Sequence, residues 1–187
     1  MAMRAPPNRP DATWRRTPAA LLLIPLLLGC GAETQRTAPA DGPDVAVEVR
    51  SVVVDPATDT PIVLLEELQG ERTLPIWIGD AEARSIAVQL EKVEWPRPNA
   101  HDLATRLLMG LGGRVERVVV TELRGSTYFA LLVVRAPGGL VEIDARPSDA
   151  IAIALRANAP VYVRDALLEA AVREAERNDG DEPQLAL

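Results

Sequence analysis

Glu142, Asp144 and Asp149 place three carboxylates within eight residues, with Arg146 among them. A hydrolysis needs an activated water, neutralised charge at the reacting centre and help for the leaving group. Divalent metals held by carboxylates supply all three. Glu142 and Asp144 stand at i and i+2 on a predicted strand, so they share a face. Asp149 opens the helix that folds back from that strand. The three are candidate ligands for one or two Mg²⁺ or Mn²⁺ ions, since hard cations take oxygen donors. Asp144 and Asp149 are also candidate catalytic groups. Arg146 is a candidate phosphate contact, because its planar fork suits phosphate oxygens, and Arg97 is a second. His101, the one histidine of the chain, suits a general base or acid. Glu82, in the first turn of another predicted helix, completes the set.

Each of these residues also has a structural reading. Glu142 suits the solvent face of an edge strand. Ser148 is a ready N-cap, and Asp149 beside it favours the helix dipole. Asp144 and Arg146 could pair across the strand-to-helix turn. Asn99 and Asp102 have the spacing of a capping box, which leaves His101 exposed on the first turn. Glu82 sits where the helix dipole alone favours an acid.

The elements that must position them are legible from periodicity. Val45, Val47 and Val49 alternate with polar residues, Ile62 to Glu66 and Leu74 to Ile78 follow, and turns at 55–59 and 69–70 join them into a meander. Asp80 to about Glu91 reads as a helix. Asn99 caps a second helix with Leu103, Leu107 and Leu111 on one face, ending at Gly112-Gly113. Three strands come next, Val115 to Leu123, Tyr128 to Arg135 and Leu140 to Asp144. A nearly all-apolar helix, Asp149 to Ala157, belongs at the centre of the core. Val161 to Val163 is a short strand, and Asp165 to Arg177 a final helix. The expected fold is a single α+β domain over 45–177, with a mixed, mostly antiparallel sheet, about four helices and the order β-β-β-α-α-β-β-β-α-β-α. The five aromatics of that region are scattered and suit core packing better than base stacking.

The two ends read differently. Residues 1–29 carry a basic segment, then an apolar run of about ten residues, too short to span a bilayer. Leu27-Leu28-Gly29-Cys30 resembles a bacterial lipobox, which implies cleavage before Cys30, acylation of its thiol and anchoring at the cell envelope. Residues 31–44 read as a flexible tether and 178–187 as a frayed tail. Of 20 basic and 27 acidic residues, the leader holds four and one, so the expected mature chain carries a net charge of −10. That charge argues against non-specific nucleic-acid binding through a basic surface. One cysteine and one histidine exclude a disulfide framework and multi-cysteine or two-histidine metal sites.

Two blocks carry a wider resemblance. One is Leu74-Pro75-Ile76-Trp77-Ile78-Gly79 with Glu82-Ala83 and Ile86-Ala87. The other is Val141-Glu142-Ile143-Asp144-Ala145-Arg146-Pro147-Ser148-Asp149-Ala150-Ile151-Ala152. Arg97-Pro98, His101-Asp102-Leu103, Val118 to Val120 and Tyr128-Phe129-Ala130 lie between them in order. Together they resemble the bifunctional nuclease domain family over about 48–170. Asn99-Ala100 stands where a Thr commonly precedes His-Asp-Leu. The resemblance implies DNase and RNase activity and nucleic acid as partner, but carries over no catalytic residue.

Two functions therefore stand side by side. One is a metal-assisted nuclease tethered to the envelope. The other is a non-catalytic, envelope-anchored module of the same fold that binds a partner or ligand and oligomerises. Convergence of Asp144, Asp149 and either His101 or Glu82 on one pocket favours the first; scattering among helix caps favours the second.

Overall fold

The computed structural model describes residues 42–179. The leader, Cys30, the tether as far as residue 41 and the tail from 180 lie outside the described residues. The elements run β1 (Asp44–Asp55), β2 (Thr60–Glu67), β3 (Thr73–Trp77), α1 (Asp80–Leu90), α2 (Ala100–Gly110), β4 (Arg114–Arg124), β5 (Thr127–Ala136), β6 (Gly139–Ala145), α3 (Pro147–Ala157), β7 (Val161–Arg164) and α4 (Asp165–Asp179). This is the predicted α+β order. The final helix continues to Asp179, into the residues read as the start of a tail.

The strands form one seven-stranded sheet in the order β3-β2-β1-β7-β4-β5-β6. All neighbours are antiparallel except β4 and β7. β1 serves two partners. Asp44 to Val47 pair with β7 and Val47 to Asp55 with β2, the β2 pairing carrying a register shift between Val49 and Ser51. The pairing of Val118 with Leu132 and of Leu132 with Ile143 shows which side chains share a face. On the face carrying Val63, Leu65, Val118, Val120, Ala130, Leu132, Val134 and Val163, apolar side chains meet those of the helices in one core cluster. Ile86 of α1, Ile151 and Ala154 of α3 and Leu168 of α4 are fully buried there. Burial of each large side chain contributes about 1.5–3 kcal/mol. The central place of α3 follows from its run of apolar residues, Ala150 to Leu155, of which Ala150, Ile151, Ala152 and Ala154 are buried.

The helix ends differ in part from expectation. The capping box at α2 is present: the Asp102 amide donates to Asn99 Oδ1 at 2.9 Å and the Asn99 amide to Asp102 Oδ2 at 2.8 Å. Ser148 does not cap α3. Pro147, whose fixed φ is pre-organised for a first helical position, starts the helix earlier, so Arg146 stands at the N-cap and Ser148 is buried in the first turn. Leu103, Leu107 and Leu111 of α2 share a face that is exposed, because α2 packs on α3 through its other side. Trp77 and Trp95 are also exposed rather than in the core.

Candidate active site

Three helices meet at their N-terminal ends or along their inner faces, and the polar residues there form one connected network. α1 supplies Glu82 and Ser85, three residues apart and therefore neighbours on its surface. α2 supplies His101 and Asp102, preceded by Asn99. The turn from β6 into α3 supplies Arg146, and α3 itself supplies Asp149 and Arg156. These last two lie seven residues apart, two turns along one helix face.

Arg146 is the hub on the solvent side. Its Nε donates to Asp149 Oδ2 at 2.7 Å and its Nη2 to Asp149 Oδ1 at 3.0 Å. The same Nη2 donates to Glu82 Oε1. These pairs hold the guanidinium above its ordinary pKa, through Asp149 first and Glu82 second. The side chain is 65% exposed, and its remaining nitrogen, Nη1, makes no hydrogen bond among the described residues. Arg146 also borders a cleft of about 290 Å³ lined by Ile76, Gly79, Thr127, Tyr128 and Ser148.

Behind Arg146 the network is drier. His101 Nε2 lies 3.0 Å from Asp149 Oδ1, and His101 Nδ1 lies 2.9 Å from Ser85 Oγ. The capping box fixes the orientation of the Asn99 amide. Asn99 Oδ1 accepts from the Asp102 amide, so Asn99 Nδ2 is left to donate to Ser85 Oγ at 3.1 Å. Ser85 Oγ, 2.9 Å from Nδ1, keeps its own proton free for that contact, and His101 donates from Nε2 to Asp149, whose ionised carboxylate only accepts. His101 is thus 14% exposed and bonded at both nitrogens, not an exposed first-turn residue as the capping pattern alone suggests. Burial pushes the Asp149 carboxyl up, but hydrogen bonds from Arg146 and then His101 outweigh it, and its pKa lies below the ordinary 3.8.

Asp102 continues the network inward. It accepts from Arg156 Nε at 2.6 Å. Arg156 is 6% exposed and also donates to the Ala152 carbonyl at 2.8 Å and the Ser85 carbonyl at 3.3 Å. Burial raises the Asp102 carboxyl, and the Asn99 amide and Arg156 together bring it below its ordinary value.

Glu82, His101, Arg146 and Asp149 are therefore brought together. Glu142 and Asp144 are not brought to them. They sit cross-strand from Val133 and Leu131 on β6, the edge strand, and alternate onto the face opposite the helices. Both are exposed. The pairing of Asp144 with Arg146 is absent, because Arg146 turns to Glu82 and Asp149 instead. Arg97 is exposed in the connection between α1 and α2. Among the described residues, no three His, Cys, Asp or Glu side chains converge as metal ligands. Ser85, Asn99 and Arg156 escaped sequence reasoning as members of the site, although the same-face spacings Glu82/Ser85 and Asp149/Arg156 were available to point to the first and last.

A mixed sheet with one helical layer, and an arginine-carboxylate-histidine cluster where the helices meet, define the class. The chain belongs to the bifunctional nuclease domain family, whose model matches residues 63–176. It is 41% identical over 122 residues to an uncharacterized protein of Mycobacterium tuberculosis, covering 65% of this chain and 73% of that one. It is 31% identical over 112 residues to Bifunctional nuclease 1 of Arabidopsis thaliana and 29% identical over 112 residues to Bifunctional nuclease 1 of Oryza sativa subsp. japonica. Those matches cover 58% of this chain and 34% of each plant protein.

Proposed function

We propose that this chain is a nuclease that hydrolyses phosphodiester bonds of DNA or RNA at the Arg146–Asp149–His101 cluster. The observation that carries the reading is the gathering of Glu82, Ser85, His101, Arg146 and Asp149 from three helices and one turn, with the guanidinium on the open side. Family membership and the plant relatives' printed name support the class of reaction.

The chemistry follows from how Asp149 is held. A substrate phosphate competes with Asp149 and Glu82 for Arg146, whose fork binds phosphate and carboxylate alike. Once Arg146 turns to phosphate, Asp149 loses the larger of the two side-chain contacts that keep its pKa low. Burial then weighs more, and its basicity rises towards what a general base needs. Asp149 takes a proton from the attacking water as the new bond to phosphorus forms and the bond from phosphorus to the leaving oxygen breaks, that oxygen taking its proton from solvent. Arg146 neutralises the charge gathering on the phosphoryl oxygens. His101, held by Ser85 and Asn99, keeps Asp149 oriented through Nε2. The cleft beside Arg146 gives the nucleotide room, and Arg97 is a second phosphate contact in this reading.

The side chains do not fit a resident metal ion as they stand. The guanidinium fills the position between Glu82 and Asp149, and Glu142 with Asp144 form a separate exposed pair. Mg²⁺ or Mn²⁺ enters our reading as the counter-ion of the nucleic acid, because Glu82 and Asp149 outnumber Arg146 and repel a bare phosphate backbone. The second part of the proposal is envelope tethering through acylated Cys30, supported by the Leu-Leu-Gly-Cys run after an apolar segment.

The test is cleavage of single-stranded and double-stranded DNA and RNA by the purified full chain, with Mg²⁺, with Mn²⁺ and with chelator. Cleavage by the wild type, reduced about 100-fold or more in Asp149→Asn and in Arg146→Ala, is the expected result. Equal cleavage by wild type and both variants would place the activity elsewhere, and no cleavage under any condition favours the non-catalytic module.

A further inference from the structure

We infer that Trp77 and the cleft beside it form a subsite for one unpaired nucleobase, whose adjoining phosphate is taken by Arg146. The inference rests on the Arg146 site of the proposed nuclease and adds what that site selects. Trp77 ends β3, where alternation along the strand buries Leu74 and Ile76 and turns Trp77 away from them. Its side chain is 53% exposed, so the core role expected of the scattered aromatics does not account for it.

The indole is held although it is not buried. Its Nε1 donates to Asp55 Oδ2 at 3.2 Å. Asp55 is in turn fixed by the turn between β1 and β2, where it accepts from the Ala57 amide at 2.9 Å and from Thr58 Oγ1 at 2.8 Å. The Ala57 amide first, then Thr58 and Trp77, hold the Asp55 carboxyl below its ordinary value, so it remains an ionised acceptor for the indole. An aromatic face fixed in advance loses little freedom when a ligand covers it.

What else lines the cleft identifies the occupant. Trp77 and Arg146 border the same cleft, with Thr60, Thr127 and Tyr128. Arg146 Nη1 makes no hydrogen bond among the described residues and is a donor for a phosphate oxygen. An aromatic face and an anion-binding fork in one cleft match the two parts of a nucleotide, a base with a π-face and a charged phosphate. The volume, about 290 Å³, lies at the small end of ligand pockets, the scale of one nucleotide. A base inside a duplex has both faces stacked and offers neither to the indole, so the occupant is an unpaired base of a single strand. Stacking reads no base edge, so the subsite accepts every base.

The test measures binding and cleavage separately on the purified full chain. Binding is read by fluorescence anisotropy in Mg²⁺ with a labelled phosphorothioate single strand, which resists cleavage, with its abasic counterpart and with the matching duplex. The wild type should bind the single strand about 10-fold more tightly than the abasic strand or the duplex. Trp77→Ala, folded by circular dichroism, should lose that preference and bind the abasic strand as the wild type does, and Trp77→Phe should restore most of it. Trp95→Ala, exposed in the connection between α1 and α2, should keep it. Equal binding of all three probes by the wild type, or no binding of any, overturns the subsite without recourse to a variant. So does a preference that survives in Trp77→Ala, or an equal loss in Trp95→Ala. Base-dependent binding through Trp77 with no cleavage of an unmodified strand overturns the nuclease reading and leaves the subsite standing. Cleavage by the wild type without base-dependent binding does the reverse.

Discussion

Arg156→Met removes the guanidinium that, among the described residues, ties α1, α2 and α3 together. Its side chain is 6% exposed and makes three contacts: Asp102 Oδ1 from α2, the Ala152 carbonyl from its own helix and the Ser85 carbonyl from α1. Breaking one side of a buried ion pair costs about 3–5 kcal/mol, because the remaining charge is left without its partner. Asp102 is 26% exposed and keeps the Asn99 amide, so water and that amide take up part of the loss. This places the cost near the lower end, about 3 kcal/mol. For a domain of this size, that lowers Tm by about 10 °C. Thermal unfolding followed by circular dichroism reads it directly. Asp102→Asn leaves the more buried partner, Arg156, without its counter-charge and should cost at least as much, and the double variant should cost less than the two single variants added together, since both remove one interaction. A Tm for Arg156→Met within about 2 °C of wild type would refute the argument that this pair is buried and paired in the folded chain. Strict additivity would refute the claim that Asp102 is its partner.

The acid limb of stability should carry the same signature. Asp102 and Asp149 are both held below their ordinary 3.8 in the folded chain. Their contribution is complete above that value and is lost as pH falls through the folded values. A series of melts from neutral pH downward should therefore show wild type losing stability below about pH 4, with a shallower fall in Asp149→Asn and Asp102→Asn; parallel curves would count against the depressed values. Asp144→Asn and Glu142→Gln should leave both Tm and any cleavage within error of wild type, since both side chains are exposed on the face away from the helices; a large loss of cleavage would restore the acidic strand as the metal site. Cys30→Ser should move the chain from the detergent phase to the aqueous phase on phase partitioning, and unchanged partitioning would dispose of the lipid anchor.

The fold was legible because its signals are local. Alternating valines in β1, the apolar α3 and the Asn99–Asp102 box each report on a few neighbouring residues, and short-range sterics and hydrogen bonding decide them. The misreadings have one physical source. Ser148 has good capping chemistry, yet Pro147 one residue earlier starts the helix and buries the serine. Leu103, Leu107 and Leu111 show a clean helical stripe, but a stripe does not say what it faces, and here α2 turns its other side to α3. His101 on a first turn looks solvated until α1 and α3 are placed against it.

The candidate site shows the same division more sharply. Arg146 has carboxylates at −2, −4 and +3 in sequence, and strand alternation removes the first two from its reach. The third lies on the next helix, and its second partner, Glu82, is 64 residues away. Sequence proximity thus grouped Glu142, Asp144 and Asp149 as one candidate metal site, beside separate structural readings for each. The folded chain divides that cluster: Asp149 is neutralised by Arg146 and oriented by His101, while Glu142 and Asp144 remain in water. The charge that must be balanced at the site is then carried by an arginine able to exchange a carboxylate for a phosphate. An exchangeable arginine makes the basicity of Asp149 depend on whether substrate is bound.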